Sequence, residues 1–473
     1  MNWPNGGQFI RSVDGGEGAP SMEKLDRGSL WADLGEVVRL SLPIIITMGS
    51  QTLMMFVDAL LVGRFGKDEL AAAGPAGLTF MVFGSFMLGL VSCNNTFVSQ
   101  CLGRGDLGAC ARYTVHCIYI GFLTQVLILP FIAGAPLIFR LFGHGPAVMG
   151  LEVVYFRVLA LRVAAMSVVA SLATFYQGTG RPIVPMVTGI IANGFNFGLD
   201  LLLIFGNMGF PRMGLLGAGI STSLASCVEA VILLALYMSS REQARFSTRS
   251  WAPWEWKKVT QILRIGIAAG VTYALDLGSW AIFVSFVIGK FGADALAGNN
   301  AATSFMQLSF MPAYGLSIGV TALVGRYIGQ GDYRAAKRRA FLGMACACCY
   351  MSVMGTVFYI FRQPLIGLFR HEPEVIAAGS LILAYIPLFQ FADAFGIVSA
   401  GALKGAGDTR FPAVAQIVFA WLFFLPLVFV LGNPHAGGLR GAWAAATVYI
   451  WAYDLVLLWR FVGERWRKIN IFG

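Results

Sequence analysis

The sequence PIVPMVTGIIANGFNFGLDLLLIFG, residues 182–206, is apolar along almost its whole length and contains one formally charged residue, Asp200. A helix of about 20 mainly apolar residues is long enough to cross the hydrocarbon core of a bilayer. The segment therefore predicts a transmembrane helix. A carboxylate near the centre of such a helix costs about 2.5–3.5 kcal/mol on insertion scales, which indicates that Asp200 serves a function.

The rest of the chain has the same character. It contains 473 residues, of which 57% are apolar and 12% are charged, whereas about 25% of the residues in a typical soluble domain are charged. The apolar runs predict an all-α polytopic membrane protein with twelve transmembrane helices. The predicted spans are residues 37–63, 71–100, 116–142, 149–177, 182–206, 214–239, 262–289, 296–325, 340–368, 375–403, 411–432 and 438–462.

The net charge of +10 comes from basic residues that alternate between Lys/Arg-rich and Lys/Arg-poor loops. Because Lys and Arg concentrate in cytoplasmic loops, this alternation predicts a multi-pass protein of the inner or plasma membrane with both termini in the cytoplasm. The basic charge is then explained by topology, and we expect a lipid bilayer rather than a nucleic acid as the partner. The poor loops hold mainly Arg64, Lys67, Arg140, Arg212, Lys290, Arg362, Arg370 and Arg440.

The two halves of the chain resemble each other at an almost constant offset. Residues 65–71, FGKDELA, recur as residues 291–297, FGADALA, and residues 103–106, GRGD, recur as residues 329–332, GQGD. A repeat of six helices enters the membrane twice from the same side, so the two copies are parallel. We expect two six-helix lobes around a central cavity.

These patterns also predict where the segments of the chain begin and end. The predicted segments are a disordered N-terminal tail and lead-in at residues 1–35, an N-lobe at 36–239, a cytoplasmic linker at 240–258, a C-lobe at 259–463 and a C-terminal tail at 464–473.

Four acidic residues fall within predicted spans and away from loops: Asp58, Asp200, Asp276 and Asp393. Glu152, Glu229 and Asp454 lie nearer the ends of their spans. Because lipid contact would be costly, we expect all four to face an interior polar cavity. Polar residues at helical spacing accompany them, and these predict further cavity-lining side chains, namely Gln51, Asn193, Tyr273 and Gln390. Such oxygen-rich surroundings suit a proton or Na⁺.

Other chemistry finds little support in the sequence. The chain contains no GxxxxGK[ST] loop for a nucleotide. Its eight cysteines lie in or beside apolar runs, and the group Cys346, Cys348 and Cys349 has no histidine or carboxylate beside it. We therefore predict no catalytic site, no cofactor and no metal other than Na⁺. Transport by this chain would draw on an ion gradient, with H⁺ or Na⁺ as the coupling ion.

Three motifs resemble one family. The segment FVDALLVGRFGKDELAAAG at residues 56–74 is similar to the first-helix signature of the multidrug and toxic compound extrusion (MATE) family, in its prokaryotic NorM/DinF-like branch. VSQCLGRGD at 98–106 and GALKGAGDTRFP at 401–412 resemble later motifs of that family. The resemblance implies a rocking antiporter that exports bulky, often cationic drug-like molecules in exchange for H⁺ or Na⁺. It also implies that a single chain is the working unit.

The same resemblance implies roles for individual residues. It places Asp58, Asn196, Asp200 and Thr222 in a cation or proton site of the N-lobe. It places Asp393 in a second site, in the C-lobe, where the NorM branch has a glutamate near the position of Asp276.

Two other functions are compatible with such a chain. A lipid-linked oligosaccharide flippase of the same wider superfamily would line its cavity with Arg and Lys to hold phosphates, and Arg157 and Arg162 lie in the fourth predicted span. A non-transporting membrane receptor is the other. Dye efflux under an imposed ion gradient separates the antiporter from both.

Overall fold

The computed structural model describes residues 30–142, 144–249, 251–369 and 371–473. This part of the chain is almost entirely helical and contains no β-strand. Eleven of its helices are individually long and apolar enough to cross a membrane, and a bent pair supplies a twelfth span. The prediction of an all-α polytopic membrane protein is confirmed.

We number the spans α1 to α12 in chain order. The N-terminal six are α1 (Leu30–Phe65), α2 (Ala72–Gly103), α3 (Leu107–Arg140), α4 (Pro146–Leu161 and Val163–Gly178, bent by 42°), α5 (Ile183–Leu203) and α6 (Leu215–Tyr237). The C-terminal six are α7 (Trp256–Phe291), α8 (Ala293–Gly329), α9 (Tyr333–Ile360), α10 (Pro373–Gly405), α11 (Arg410–Leu431) and α12 (Gly438–Val462).

Several predicted boundaries differ from the observed ones, most clearly at the start of α1 and the end of α9. Helix α1 begins at Leu30, so residues 30–35 are helical, while residues 1–29 of the predicted tail lie outside the described part. Helix α9 ends at Ile360 rather than 368, and Arg362–Gly367 forms a separate short helix. That short helix contains Pro364, which has no backbone N–H to continue the helix of α9.

The predicted linker also contains ordered structure. A short helix, Ser240–Phe246, follows α6, and the Ser239 hydroxyl accepts a hydrogen bond from the Glu242 N–H at its start. Helix α7 begins at Trp256, within the predicted linker. Just before it, a hydrogen bond from Lys258 holds the pKa of the Glu255 carboxyl below its ordinary value.

Helices α1–α6 and α7–α12 form two lobes that meet along two equivalent seams. Helix α1 packs against α8, and α2 packs against α7. The internal repeat relates α1 to α7 and α2 to α8, so the two seams are equivalent, as expected for parallel repeats. The repeat-related residues Gly103 and Gly329 meet between the lobes, where a Cβ added to Gly103 would lie 2.9 Å from the Gly329 Cα.

The lobes are closed at one end, which we call the basic end because it carries Arg104, Arg181, Lys257, Lys404 and Lys468. There the Gln100 Nε2 donates to the Gly405 carbonyl at 2.9 Å, and the Thr96 hydroxyl donates to the Lys404 carbonyl at 2.8 Å. An ion-pair network also joins α1 to α9, from Asp33 and Glu36 to Arg338 and Arg339.

The lobes diverge toward the opposite end. On the α1–α8 seam, Ile45 and Gly315 are in close contact, with a Cβ on Gly315 reaching 3.0 Å from the Ile45 Cα. About two turns further from the basic end, Gln51 on α1 and Gln307 on α8 are exposed. The predicted central cavity would therefore lie between the lobes and open away from the basic end.

Candidate functional site

Three of the predicted N-lobe residues lie together. The Asn196 Nδ2 on α5 donates to Asp58 Oδ1 on α1 at 3.2 Å and to Asp200 Oδ2 at 3.0 Å. The two carboxyl groups are also adjacent to each other. One amide therefore bridges two acidic groups that belong to different helices.

Helix geometry explains this arrangement. Asn196 and Asp200 are four residues apart, so they lie one above the other on the same face of α5. Helix α1 packs against that face, where the Asn193 Nδ2 also donates to the Ser50 hydroxyl at 2.8 Å. Gln51, the next residue of α1, is exposed.

The site contains acceptor atoms that lack donors. Asp200 is completely buried and Asn196 is 2% exposed. Asp200 Oδ1 and Asn196 Oδ1 are buried without any hydrogen-bond partner. Since an unsatisfied buried polar atom is costly, these two unpaired oxygen atoms fit a bound proton or a small monovalent cation.

Two neighbouring residues of α6 carry hydroxyl groups, and both groups donate to carbonyls of their own helix at 2.8 Å, Ser221 to Gly217 and Thr222 to Ala218. Ser221 is fully buried and lies beside Asp200. The residue that the structure places next to the carboxyl is thus Ser221, one position before the residue that the family resemblance implied.

An arginine also lies near the two N-lobe acids, at the bend of α4. Arg162 is within electrostatic range of Asp58. Its guanidinium lies 5.1 Å from the centre of the Phe80 ring, and Nη1 is 3.5 Å from the Ser226 hydroxyl. Arg157, the other basic residue of α4, donates to the Ile132 carbonyl on α3. Arg162 therefore reduces the net negative charge around the two carboxyls.

The C-lobe contains a second group of acids. The Gln416 Nε2 on α11 donates to Asp276 Oδ1 on α7 at 3.1 Å and lies 3.2 Å from the Tyr449 hydroxyl. Asp393 on α10 is within electrostatic range of Asp276. The predicted pair from α7 and α10 therefore lies in one region of the lobe.

Sequence reasoning missed the third carboxyl of this group. Asp454 on α12 is 3% exposed, and its Oδ2 is buried without a partner. It lies against α10 so closely that a Cβ added to Gly396 would be 1.9 Å from Asp454 Oδ1. The position of Asp454 in its predicted span did not indicate that it would contact α10. A possible signal was Gly396, three residues after Asp393, because a glycine allows two helices to approach closely.

The remaining two predicted residues have different environments. Tyr273 is 41% exposed, and the Lys404 ammonium lies 5.5 Å from the centre of its ring. Gln390 is completely buried and its Nε2 donates to the Ser309 hydroxyl at 2.8 Å. Gln390 thus links α10 to α8 inside the C-lobe.

The chain matches a protein-family model described as MatE twice, at residues 43–202 and at residues 269–430. The second match begins 226 residues after the first, which is the offset of the internal repeat. Each match runs from within the first helix of a lobe to near the end of its fifth helix, and does not reach the sixth.

Curated relatives match almost the whole chain. A multidrug resistance protein, PmpM from Pseudomonas aeruginosa, is 28% identical over 94% of this chain and 95% of its own length. A probable multidrug resistance protein, NorM from Thermotoga maritima, is 26% identical over 92% and 93% of the two chains. Among solved structures, a crystal structure of MATE in complex with MaL6 superposes with a TM-score of 0.84 at 20% identity, covering 94% of this chain and 99% of the other.

Proposed function

The chain belongs to the MatE family, and from this premise we propose that it is a secondary antiporter of multidrug type. It would export bulky, often cationic organic compounds in exchange for H⁺ or Na⁺ by alternating access. It would act as a single chain, because both walls of the cleft come from the same polypeptide. The relatives are named as multidrug resistance proteins, which supports a small-molecule cargo and a membrane setting.

The observation that carries the proposal is the bridge from Asn196 to Asp58 and Asp200. A buried carboxylate without a partner is costly, so a bound cation stabilises this pair of carboxyl groups. Entry of H⁺ or Na⁺ from the open cleft would neutralise part of this charge. Loss of that ion at the other side of the membrane would restore it.

Coupling requires that the ion and the cargo bind the two states of the transporter differently. Helix α1 can transmit a change in the charge of the site to the interface between the lobes, because it carries Asp58 and also packs against α8. Pro43 interrupts its hydrogen-bonding pattern within the seam, between Ser41 and Ile45, which contact α8. We expect ion binding to bend α1 about Pro43 and to narrow the cleft, so that cargo leaves.

The closed basic end fits this cycle. We propose that it faces the cytoplasm together with both termini, so that the open cleft faces the outside. One charge that crosses a membrane potential of 100 mV releases about 2.3 kcal/mol. That amount sustains a cargo gradient of roughly 40-fold, since each factor of ten requires about 1.4 kcal/mol.

The test is cationic dye transport in proteoliposomes with an imposed pH or Na⁺ gradient. Asp200→Asn removes one carboxylate but keeps the size of the side chain, so we expect at least a tenfold loss of gradient-driven transport. The matched control is Asp294→Asn, which changes an exposed acid in the first turn of α8. Transport by Asp200→Asn at the control rate would contradict the proposal.

The flippase alternative differs in the charge that surrounds the cargo. A phosphate-bearing lipid calls for cationic side chains, whereas Arg162 is accompanied by Asp58 and Asp200. The local charge therefore favours a cationic cargo. A chain that moves a fluorescent lipid-linked sugar but not the dye would instead support the flippase.

A further inference from the structure

A crevice opens on the C-lobe at the end opposite the basic end. Helix α9 finishes there, and α10 and α12 both begin there. The crevice has a volume of about 510 Å³ and is lined by Arg362, Ser380, Arg440 and the small apolar residues of α10 between Ala377 and Ala384. It is separate from both groups of acids, which lie deeper in the two lobes.

The polar groups of the crevice are hydrogen-bond donors. Arg440 forms no hydrogen bond or ion pair with a residue in the described part of the chain. Arg362 donates one N–H, from Nη1, to the Tyr359 carbonyl at 2.7 Å, which leaves its other N–H groups free. Within the described ranges, no carboxylate lines the crevice. The Arg362 guanidinium also lies 4.6 Å from the centre of the Tyr359 ring. The two guanidinium groups keep unpaired N–H donors, and without an acid these donors call for an anion.

Ser380 lies in the wall of the crevice. It is 7% exposed, and its hydroxyl is buried without any hydrogen-bond partner. A serine inside a helix ordinarily donates to the carbonyl four residues earlier, as Ser221 does in α6. The Ser380 hydroxyl is therefore an unsatisfied polar group beneath the crevice surface, and it is not exposed to the crevice itself.

The shape of the site indicates an amphiphile. Ala384 lies eleven residues into α10, so the crevice extends about 16 Å from the helix start at 1.5 Å per residue. The same helix face continues beyond it with Leu388 and Phe391, which are 56% and 48% exposed. The positions 377, 381, 384, 388 and 391 recur every three or four residues and form one apolar stripe.

We propose that this crevice binds an anionic phospholipid of the outer leaflet. Arg362 and Arg440 hold its phosphate, and an acyl chain follows the apolar stripe of α10. Arginine pairs are suited to phosphate because the planar guanidinium donates two parallel hydrogen bonds. Basic pockets between transmembrane helices recognise anionic headgroups in the same way.

The experiment measures lipid binding to the purified full chain in detergent, by native mass spectrometry and by the apparent melting temperature. The probes are dioleoyl phosphatidylglycerol, dioleoyl phosphatidylcholine and inorganic phosphate. We expect phosphatidylglycerol alone to be retained and to raise the melting temperature. In the double variant Arg362→Gln/Arg440→Gln, its affinity should fall about tenfold or more, as expected for lost charge-assisted hydrogen bonds.

Two further variants make the test specific. Arg140→Gln/Arg212→Gln removes two exposed arginines from the same end of the N-lobe and is the matched control for charge. Ala384→Trp fills the crevice without changing its charge and should also abolish retention. Equal phosphatidylglycerol binding by the crevice variants and the control would overturn the proposal. Equal stabilisation by inorganic phosphate and phosphatidylglycerol would also overturn it, because the site would then be a simple anion site.

Discussion

Asn196 is the residue on which the N-lobe site depends. Its amide has two N–H donors and one carbonyl acceptor, and the donors are directed at Asp58 and Asp200. A hydrogen bond to a charged group contributes about 1.5–3 kcal/mol, which moderates the repulsion between two neighbouring carboxylates. The carbonyl remains unpaired and is available to a cation.

The spacing of side chains in the sequence predicted part of this site. Asn196 and Asp200 were predicted to share a helix face, because positions four apart always do, and the structure shows one amide that contacts both carboxyls. The rotation between adjacent positions is about 100° in an α-helix, and sequence alone did not decide between Ser221 and Thr222. The contact with Asp454 depends on packing between α10 and α12, which no local pattern encodes.

A prediction at the residue scale concerns Gly396. An alanine methyl group at this position would lie 1.9 Å from Asp454 Oδ1 and 2.1 Å from its Cγ, so α10 and α12 could not keep their spacing. We expect Gly396→Ala to destabilise the C-lobe by about 1–3 kcal/mol, as overpacking does. The apparent melting temperature of the purified protein is the measurement.

The control for this change uses a glycine with free space around it. Gly367→Ala places a methyl group where no atom lies within 4 Å, so the melting temperature should stay close to that of the parent protein. Adding Asp454→Gly to Gly396→Ala removes the atoms that collide and should recover part of the loss. Full stability of Gly396→Ala alone would show that the two helices are not in this contact.

At the scale of helices, the lobe seams depend on small residues. Helix α2 approaches α7 so closely that a Cβ on Gly89 would lie 2.6 Å from the Gly270 Cα. On the equivalent seam, a Cβ on Gly319 would lie 2.2 Å from the Ser41 hydroxyl oxygen and 3.2 Å from the Ser41 Cα. Small residues allow such close packing of membrane helices. These contacts lie in the half of the molecule that is closed.

This packing predicts the effect of a larger residue in the seam. Gly89→Leu should separate α2 from α7 and thereby destabilise the closed basic end, because the colliding atoms belong to the backbone of the partner helix. We expect faster hydrogen–deuterium exchange in peptides that cover residues 89–103, together with slower dye transport. Gly77→Leu on the same helix is the control, since a Cβ there has no atom within 4 Å. Unchanged exchange in Gly89→Leu would exclude a tight α2–α7 seam.

The helices were easier to predict than their interruptions. Long apolar runs bounded by charges place each span, because the bilayer sets the length of a helix. Two stretches of π-helix, Phe283–Val287 in α7 and Ile417–Phe424 in α11, were not predicted. Apart from Ser285 they consist of ordinary apolar residues, and Gln416, just before the second stretch, donates to Asp276 on α7. Contact between helices, rather than local sequence, therefore accounts for them.

At the scale of the whole molecule, the segment that follows α12 contributes to closure of the basic end. This segment, predicted as a tail at residues 464–473, folds back against the other lobe. The Gln261 Nε2 on α7 donates to the Phe472 carbonyl at 2.8 Å, and the Tyr113 hydroxyl on α3 donates to Gln261 Oε1 at 2.7 Å. The Phe472 ring packs between N-lobe side chains, with the Arg104 guanidinium 4.1 Å from its centre. Both lobes are thus tied to one short segment.

If the lobes rock, these contacts must break whenever the basic end opens. Phe472→Ala removes the ring from Phe97, Tyr113 and Arg104 while the backbone bond to Gln261 can remain. A loss of about 1.4 kcal/mol shifts the balance between the closed and open states tenfold, which is within the range for burial of a phenylalanine side chain. We therefore expect Cys101, now 2% exposed near this seam, to react about tenfold faster with a maleimide.

Peptide mass spectrometry after timed labelling follows Cys101 separately from the other seven cysteines of the chain. Trp459→Ala is the control, because it removes a large aromatic side chain from α12 that is 58% exposed and lies over Arg465 of the same lobe. Cys101 should then react at the parent rate. If Phe472→Ala also left that rate unchanged, the segment would be an attachment to the N-lobe that moves with it. Closure would then depend on the glycine seams, the α1–α9 ion pairs and the hydrogen bonds of Thr96 and Gln100 to α10. Faster labelling in Phe472→Ala only would instead show that residues 464–473 help to hold the basic end closed.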